Sequence, residues 1–219
     1  MASSIIHMAV AKKINNYLNH DYKSILIGSI APDISKQINQ DRNISHFIKY
    51  EKDIPELNDF LALYRSNLDD DFVLGYFIHL YTDYLWFKYF LPNFINENES
   101  CIYDINTKNK IKVSKDEMLK LIYNDYTNIN IDIIDRYNLD LSIFYEPLPN
   151  FKNIIKEIPM DRLKVIIDKA GIIIENSKKN KSYIFDINEI ERFISFSSNT
   201  ILNDLKLMGI KNSNSLKNI

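Results

Sequence analysis

His79 and Asp83 are two polar residues inside the most apolar stretch of the chain, residues 72–87. A spacing of four places them on one face of a helix. Burial of an isolated carboxylate is costly, so Asp83 requires a cation or strong hydrogen-bond donors. Two interpretations remain open. The pair is either an internal hydrogen bond of the core, or an imidazole and a carboxylate presented to a metal ion.

Three further residues lie at the borders of apolar segments. Asp33 follows Pro32 at the end of the apolar residues 24–31, His46 follows a polar loop, and His7 lies beside the apolar face of a first helix. Each has an ordinary structural explanation, as a turn residue, a half-buried histidine and a core histidine. Together with His79 and Asp83, however, they form a set of nitrogen and oxygen ligands. Such a set suits zinc, and also iron or manganese.

The fourth histidine, His20, is interpreted differently. The dipeptide His20-Asp21 is similar to the motif of HD-type phosphohydrolases, but it lies in a polar turn after the first helix. We therefore expect His20 to be a surface residue at a helix end.

The composition excludes several classes of protein. The chain has 219 residues with a formal net charge of −2, so a stable nucleic-acid complex through a basic surface is not expected. A single cysteine excludes an internal disulfide framework and a thiolate-rich zinc site. Four glycines are too few for a glycine-rich phosphate loop.

The chain carries no pattern of a leader peptide or a membrane span. No basic region precedes the apolar residues near the N-terminus, which predicts a cytoplasmic protein. Residues 72–91 approach membrane length but contain His79, Asp83 and Lys88, which are costly in lipid. We expect this segment to be a buried helix and the protein to have no transmembrane segment.

Hydrophobic periodicity and capping residues predict one all-α domain over residues 1–210, followed by a polar tail over 211–219. Residues 24–31 fit a helix or a strand equally well, and a small hairpin is expected near 102–113. The predicted helices run from Ser3 or Ser4 to about Leu18, from Ile54 to Arg65 with Asp53 as cap, from Asp69–Asp71 to Leu91, from Ser114 to about Tyr137, from Asp161 to about Lys179, and from Asp186 to about Met208.

Three segments taken together resemble the zinc-dependent phospholipase C family. They are Gly28-Ser29-Ile30-Ala31-Pro32-Asp33, Asn43-Ile44-Ser45-His46-Phe47 and Gly75-Tyr76-Phe77-Ile78-His79-Leu80-Tyr81-Thr82-Asp83. The resemblance covers residues 5–87 and is closest to short, unsecreted bacterial members. It implies a multi-helix bundle of the type that this family shares with single-strand-specific zinc nucleases.

The resemblance also implies a ligand set. Asp33, His46, His79 and Asp83 match the ligands of the family's first zinc, and His7 matches a ligand of a second zinc that Asp83 would bridge. Two features depart from the family. The chain has no tryptophan near its N-terminus to complete the second site, and no histidine after His79 to bind a further zinc. One complete site and a partial second site are therefore expected, with one or two Zn²⁺ ions.

The function expected from this site is metal-dependent hydrolysis of phosphate esters by metal-bound hydroxide. The substrate would be a phospholipid head group, a nucleotide or a small phosphodiester, and Asp33 and Asp83 are the candidate catalytic residues. Two alternatives remain open. One is a metal-stabilised binding protein without catalytic activity, and the other is a protein that docks on a membrane surface. The second alternative lacks the basic amphipathic helix that such docking favours.

Overall fold

The computed structural model describes residues 1–213, and these are mostly helical. The last six residues of the predicted polar tail, 214–219, lie outside the described residues. The helices are α1 Ser4–Leu18, α2 Tyr22–Gly28, α3 Ile34–Gln37, α4 Arg42–Ser45, α5 Leu57–Tyr64, α6 Asp71–Leu85, α7 Lys115–Tyr137, α8 Lys164–Glu175 and α9 Ile187–Leu207. The all-α prediction is confirmed at this level.

Side-chain caps fix the starts of the helices that surround the site. Ser3 accepts a hydrogen bond from the Ile6 N–H at the start of α1, and Asp70 accepts from the N–H groups of residues 72 and 73 at the start of α6. Ser114 caps α7 and Asp186 caps α9 in the same way, as the sequence predicts. These caps set where each helix begins and therefore which side chains face the core.

Helices α2 and α6 contact each other backbone to backbone through two glycines. A Cβ atom added to Gly75 would lie 2.2 Å from the carbonyl oxygen of Ile25, and one added to Gly28 would lie 2.3 Å from that of Phe72. Residues with side chains do not fit this crossing. Residues 24–31, for which the sequence left helix and strand open, begin within helix α2. The helix ends at Gly28 and is followed by a 3₁₀ turn, Ala31–Asp33.

Helices α1 and α6 form the centre of the molecule. Every residue of α6 from Phe72 to Asp83 is buried, and α1 packs against α2, α6, α7 and α9. A continuous cluster of buried apolar side chains extends from Ala2 to Leu205 and surrounds both helices. Polar residues on the inner faces of α1 and α6 are therefore shielded from water.

A three-stranded antiparallel sheet extends the predicted hairpin. Strands β2 Cys101–Asp104 and β3 Asn109–Lys112 pair with Ile102 opposite Ile111, which confirms the hairpin. The short strand β1 Ile95–Asn96 adds to the other edge of β2, in the order β1-β2-β3. The sequence did not indicate β1, because two residues carry no measurable alternation.

Two predicted helices have other bounds than expected. Helix α5 begins at Leu57 rather than Ile54, because Asp53 has a left-handed φ of 66° and is not a cap. Helix α6 changes after Leu85 to a π-helical turn, Trp86–Phe90, so the helical segment reaches within one residue of its predicted end at Leu91. Helix α8 spans Lys164–Glu175, since Asp161 lies in a preceding 3₁₀ turn. Within the described part of the chain, no helix has the length and apolar character needed to cross a bilayer.

Candidate metal centre

Four elements bring the five predicted site residues together. His7 lies on α1, Asp33 ends the 3₁₀ turn Ala31–Asp33, His46 follows the last residue of α4, and His79 and Asp83 lie one turn apart on α6. The three histidines and Asp83 have 0% exposure, and Asp33 has 6%. The sequence placed each of them at an apolar border, and the fold buries all five in one cluster.

The rings of His46 and His79 face each other through their Nε2 atoms, which are 3.2 Å apart. Nδ1 of His79 lies 2.8 Å from the Ser29 carbonyl oxygen, which can only accept, so the ring proton is on Nδ1. Nδ1 of His46 lies 2.8 Å from Oγ of Ser45. The Ser45 hydroxyl also lies 3.2 Å from the Arg42 carbonyl oxygen and 3.0 Å from Oγ of Ser35, so these contacts are compatible with either ring tautomer of His46. With the proton on Nε2, His46 donates to Nε2 of His79; with the proton on Nδ1, both Nε2 lone pairs are free to bind a cation.

Two carboxylates complete this group at ligand-like spacing. Oδ1 of Asp33 is 3.5 Å from Nε2 of His46, and Oδ2 of Asp83 is 3.9 Å from Nε2 of both His46 and His79. Ligand atoms bound tetrahedrally to zinc at 2.0–2.1 Å would be about 3.3 Å apart. The Asp33 Oδ1 atom is buried and has no hydrogen-bond partner among residues 1–213. The ligand atoms of Asp33, His46 and His79 all lie within 4.8 Å of one another, whereas Asp83 forms a second such group with His7 and His79.

His7 forms a second group with His79 and Asp83. Its ring stacks on that of His79 with the centroids 3.8 Å apart, and its Nε2 lies 3.4 Å from Oδ1 of Asp83. Within the described residues, neither ring nitrogen of His7 makes a hydrogen bond. Asp83 thus directs Oδ1 towards His7 and Oδ2 towards His46 and His79, which is the arrangement that a bridging carboxylate requires.

The charge states of the cluster suit metal binding. Burial lowers the pKa of His79 to about 3, and burial also lowers the pKa of His46. Burial alone would raise the pKa of Asp33, but the His46 contact and the neighbouring imidazoles outweigh it and lower the pKa to about 2. For Asp83, burial is likewise outweighed, chiefly by His7, and the pKa lies well below its usual range. Neutral imidazoles and ionised carboxylates are the forms that bind metals.

Arg42 contacts the cluster and was missed by the sequence analysis. Its Nη2 donates to Oδ2 of Asp83 over 3.2 Å, and its Nη1 donates to Oδ1 of Asp53 over 2.8 Å. Arg42 begins the single turn of α4 that ends before His46. The four-residue separation of Arg42 and His46 could have suggested that the two side chains are close. The sequence around Arg42 gives no sign that it contacts Asp83 on α6. The backbone N–H of Ala2 donates to the other oxygen of Asp83 over 3.0 Å.

His20 lies outside both groups. Its Nδ1 is 2.6 Å from Oδ1 of Asp71, at the start of α6, and this hydrogen bond raises the pKa of His20. The residue is half-buried rather than fully exposed, because the carbonyl oxygen of Lys211 lies 3.0 Å from Nε2 of His20. The HD-type interpretation therefore has no metal-binding neighbours in the described part of the chain.

Comparisons with protein-family models, with curated proteins and with solved structures gave no match to this chain.

Proposed function

We propose that the protein is a metal-dependent hydrolase of phosphate esters, with a fold of the zinc-dependent phospholipase C type. The observation that carries the proposal is the pair of Nε2 atoms of His46 and His79, 3.2 Å apart with both Nδ1 atoms engaged, beside two buried carboxylates. Asp33, His46 and His79 offer three buried ligand atoms within 4.8 Å of one another, and Oδ1 of Asp33 has no hydrogen-bond partner within residues 1–213, which supports a cation at this position.

The residues divide into a complete and a partial set of metal ligands. Asp33, His46 and His79 form one group and would hold a first ion, with Asp83 as a fourth ligand from 3.9 Å. His7 with Oδ1 of Asp83 would contribute to a second ion. The nitrogen and oxygen donors fit Zn²⁺, and also iron or manganese. When bound, Zn²⁺ supplies Lewis-acid chemistry, including a lowered pKa of about 7 for a coordinated water.

The chain's own residues would orient the reactants. In the proposed reaction, a water oxygen bonds to phosphorus, the ester P–O bond breaks, and a proton passes to the departing alcohol. Asp33 lines a cavity of about 470 Å³ and its side chain keeps 8% exposure, so its carboxylate would both bind an ion through Oδ1 and lie beside a water in the cavity. Because its pKa is about 2, Asp33 is suited to orient the water and is a weak base. Asp83 is held by Ala2 and Arg42 and keeps its two oxygens directed to the two ligand groups.

A second candidate function is that of a metal-stabilised binding protein without catalytic activity. The complete burial of His7, His46, His79 and Asp83 favours it, because structural metal sites are closed whereas catalytic sites keep an open position. The two candidates share the metal and differ in turnover.

Elemental analysis of His79→Ala tests the metal site. We expect the variant to lose bound zinc and to unfold at lower temperature, because metal binding adds to folding free energy. His20→Ala is the matched control, since this histidine lies outside both ligand groups and should leave the zinc content unchanged. Equal zinc in wild type and His79→Ala would reject the site.

Turnover separates the two candidate functions. We expect the zinc-loaded protein to hydrolyse an aryl phosphodiester, phosphatidylcholine or single-stranded nucleic acid, and His7→Ala to lose activity while one ion stays tightly bound. If the wild type binds a single ion and cleaves none of these substrates with zinc, iron or manganese added, the hydrolase proposal fails and the binding protein remains.

A further inference from the structure

Ser45 lies directly before His46 and is fully buried. Its Oγ atom is 2.8 Å from Nδ1 of His46, the ring nitrogen that does not face His79. The carbonyl oxygen of Ser45 accepts a hydrogen bond from the Tyr76 hydroxyl over 2.5 Å, and Tyr76 lies one turn before His79 on α6. This bond ties Ser45 to the helix that carries His79, and the Ser45 hydroxyl is thereby held beside the His46 ring.

The Ser45 hydroxyl also lies within hydrogen-bond distance of two oxygens in the described part of the chain. The carbonyl oxygen of Arg42 is 3.2 Å away and can only accept, whereas Oγ of Ser35 is 3.0 Å away and can accept or donate. Ser35 has an acceptor of its own, the carbonyl oxygen of Pro32, at 3.3 Å. The proton of Ser45 can therefore point at the ring nitrogen or away from it, and it meets an acceptor in both directions.

Without a cation, the surroundings of His46 favour a ring proton on Nε2. Nε2 of His79 is 3.2 Å away and accepts, because the proton of the His79 ring is on Nδ1. Oδ1 of Asp33, 3.5 Å away, belongs to an ionised carboxylate and also attracts a proton. Nδ1 of His46 is then a nitrogen without a proton, and Ser45 satisfies it as a hydrogen-bond donor.

The arrangement reverses when His46 binds a cation through Nε2. The lone pair of Nε2 is then occupied, so the proton of the neutral ring is on Nδ1. Ser45 accepts from this Nδ1–H and donates its own proton to Ser35 or to the Arg42 carbonyl oxygen. The ring loses one proton to water and takes another from water, so its charge is the same in both arrangements. A side chain that only donates or only accepts would leave a buried ring nitrogen unpaired in one of them.

We propose that Ser45 is the positioning residue of the metal centre, and that its hydroxyl changes from donor to acceptor as His46 changes tautomer on binding a metal ion. The inference rests on the metal site of the proposed function and is independent of hydrolysis. Loss of the hydrogen-bond partner behind a ligating histidine typically lowers metal affinity about 10- to 100-fold. Ser45 thus contributes to zinc binding without contacting the ion.

Nitrogen-15 NMR of the histidine rings measures the tautomers. Long-range proton–nitrogen spectra of the full-length protein are recorded with a chelator and with zinc, since ring nitrogens that carry a proton, carry none or bind a metal differ in chemical shift. We expect the proton of His46 on Nε2 with the chelator and on Nδ1 with zinc. His79 is the internal control, because the Ser29 carbonyl oxygen keeps its proton on Nδ1 in both conditions.

Two buried serines provide a matched pair of variants. Ser45→Ala removes the hydroxyl, and calorimetric titration should show a zinc affinity that is lower than that of the wild type by about tenfold or more. Ser197→Ala is the control, because Ser197 on α9 is equally buried and its hydroxyl donates to the carbonyl oxygen of Phe193 over 2.8 Å rather than to a site residue. Its zinc affinity and its His46 tautomers should equal those of the wild type.

The outcomes separate this inference from the proposed function, and the wild-type spectra decide it even if Ser45→Ala does not fold. A change of the His46 tautomer on zinc binding supports the inference, even if no phosphate ester is hydrolysed. A proton already on Nδ1 of His46 with the chelator, or a zinc-bound protein with an unchanged tautomer, overturns the inference and leaves the proposed function standing. An unchanged zinc affinity in Ser45→Ala also overturns it. A wild type that binds no zinc overturns both.

Discussion

Arg42→Gln removes the one arginine that contacts the buried carboxylate of Asp83 in the described part of the chain. Asp83 has 0% exposure and would keep the Ala2 N–H and the neighbouring imidazoles as partners. The Arg42 side chain is 21% exposed, so water screens part of its charge. Breaking a buried ion pair costs about 3–5 kcal/mol, and with this screening we expect a loss of about 2–3 kcal/mol in protein treated with a chelator.

Zinc should reduce that loss. A dication bound at Asp83 takes over the role of the guanidinium, and it also repels Arg42 in the wild type. By thermodynamic linkage, the free energy by which zinc reduces the destabilisation equals the free energy by which the variant binds zinc more tightly than the wild type. A reduction of about 1.4 kcal/mol corresponds to an affinity about tenfold higher. We therefore expect Arg42→Gln to be less stable than wild type without zinc and to bind zinc at least tenfold more tightly.

Urea denaturation with and without zinc, together with calorimetric titration of zinc, measures both quantities. Arg162→Gln is the control, since Arg162 is an exposed arginine of the turn Met160–Arg162 and should change neither. The reasoning is refuted if Arg42→Gln is destabilised equally with and without zinc, or if its zinc affinity is unchanged or lower.

Three further predictions concern other parts of the fold. The hydrogen bond from His20 to Asp71 is the main cause of the raised pKa of His20. The stability that it contributes is fully present below the unfolded pKa of about 6.5 and is lost as the pH rises through the folded pKa. Denaturation experiments should therefore show that His20→Gln destabilises the protein more at pH 5.5 than at pH 9, by under about 1 kcal/mol. The buried carboxylate of Asp125 accepts hydrogen bonds from the backbone N–H groups of residues 183–185. Asp125→Ala removes it and should lower the unfolding free energy by about 3–4 kcal/mol; a loss below about 1 kcal/mol would contradict this. Gly75→Ala forces α2 away from α6, and should cost about 2–3 kcal/mol and lower the zinc content measured by elemental analysis. Gly171→Ala is the control: it lies inside α8 with open space around its Cβ, so it should raise stability by about 0.5–1 kcal/mol and leave the zinc content unchanged.

The helices were predictable where a local signal was sufficient. Ser114 and Asp186 each combine a capping side chain with a Glu three residues later, and Asp69–Asp71 place acidic residues at the positive end of the next helix; the structure confirms all three starts. Asp53 and Asp161 have the same residue type but not the same role. Asp53 is held by Arg42 with a left-handed backbone, and such a long-range contact leaves no trace in the local sequence.

The site was predictable in part for the same reason. The spacing of His79 and Asp83 is local, so the sequence placed both on one face of a buried helix. The convergence of His7, Asp33 and His46 on that face depends on how α1 and the turns after α2 pack, and the prediction of a common site came from the resemblance. The close crossing at Gly28 and Gly75, which brings the Ser29 carbonyl to His79, explains why these glycines belong to the pattern.

Without a bound ion, the cluster of His7, Asp33, His46, His79 and Asp83 places unpartnered polar atoms in the core, which is unfavourable for stability. His7 has two buried nitrogens without a hydrogen bond in the described residues, and Oδ1 of Asp33 is buried without one as well. Replacing such groups by apolar side chains of similar size would often stabilise a protein. If the proposed metal centre is correct, the fold gains stability when ions bind, since they would pair with Oδ1 of Asp33 and with one nitrogen of His7. Metal binding and folding would then draw on the same contacts, and this coupling is why the stability of Arg42→Gln with and without zinc is informative about function.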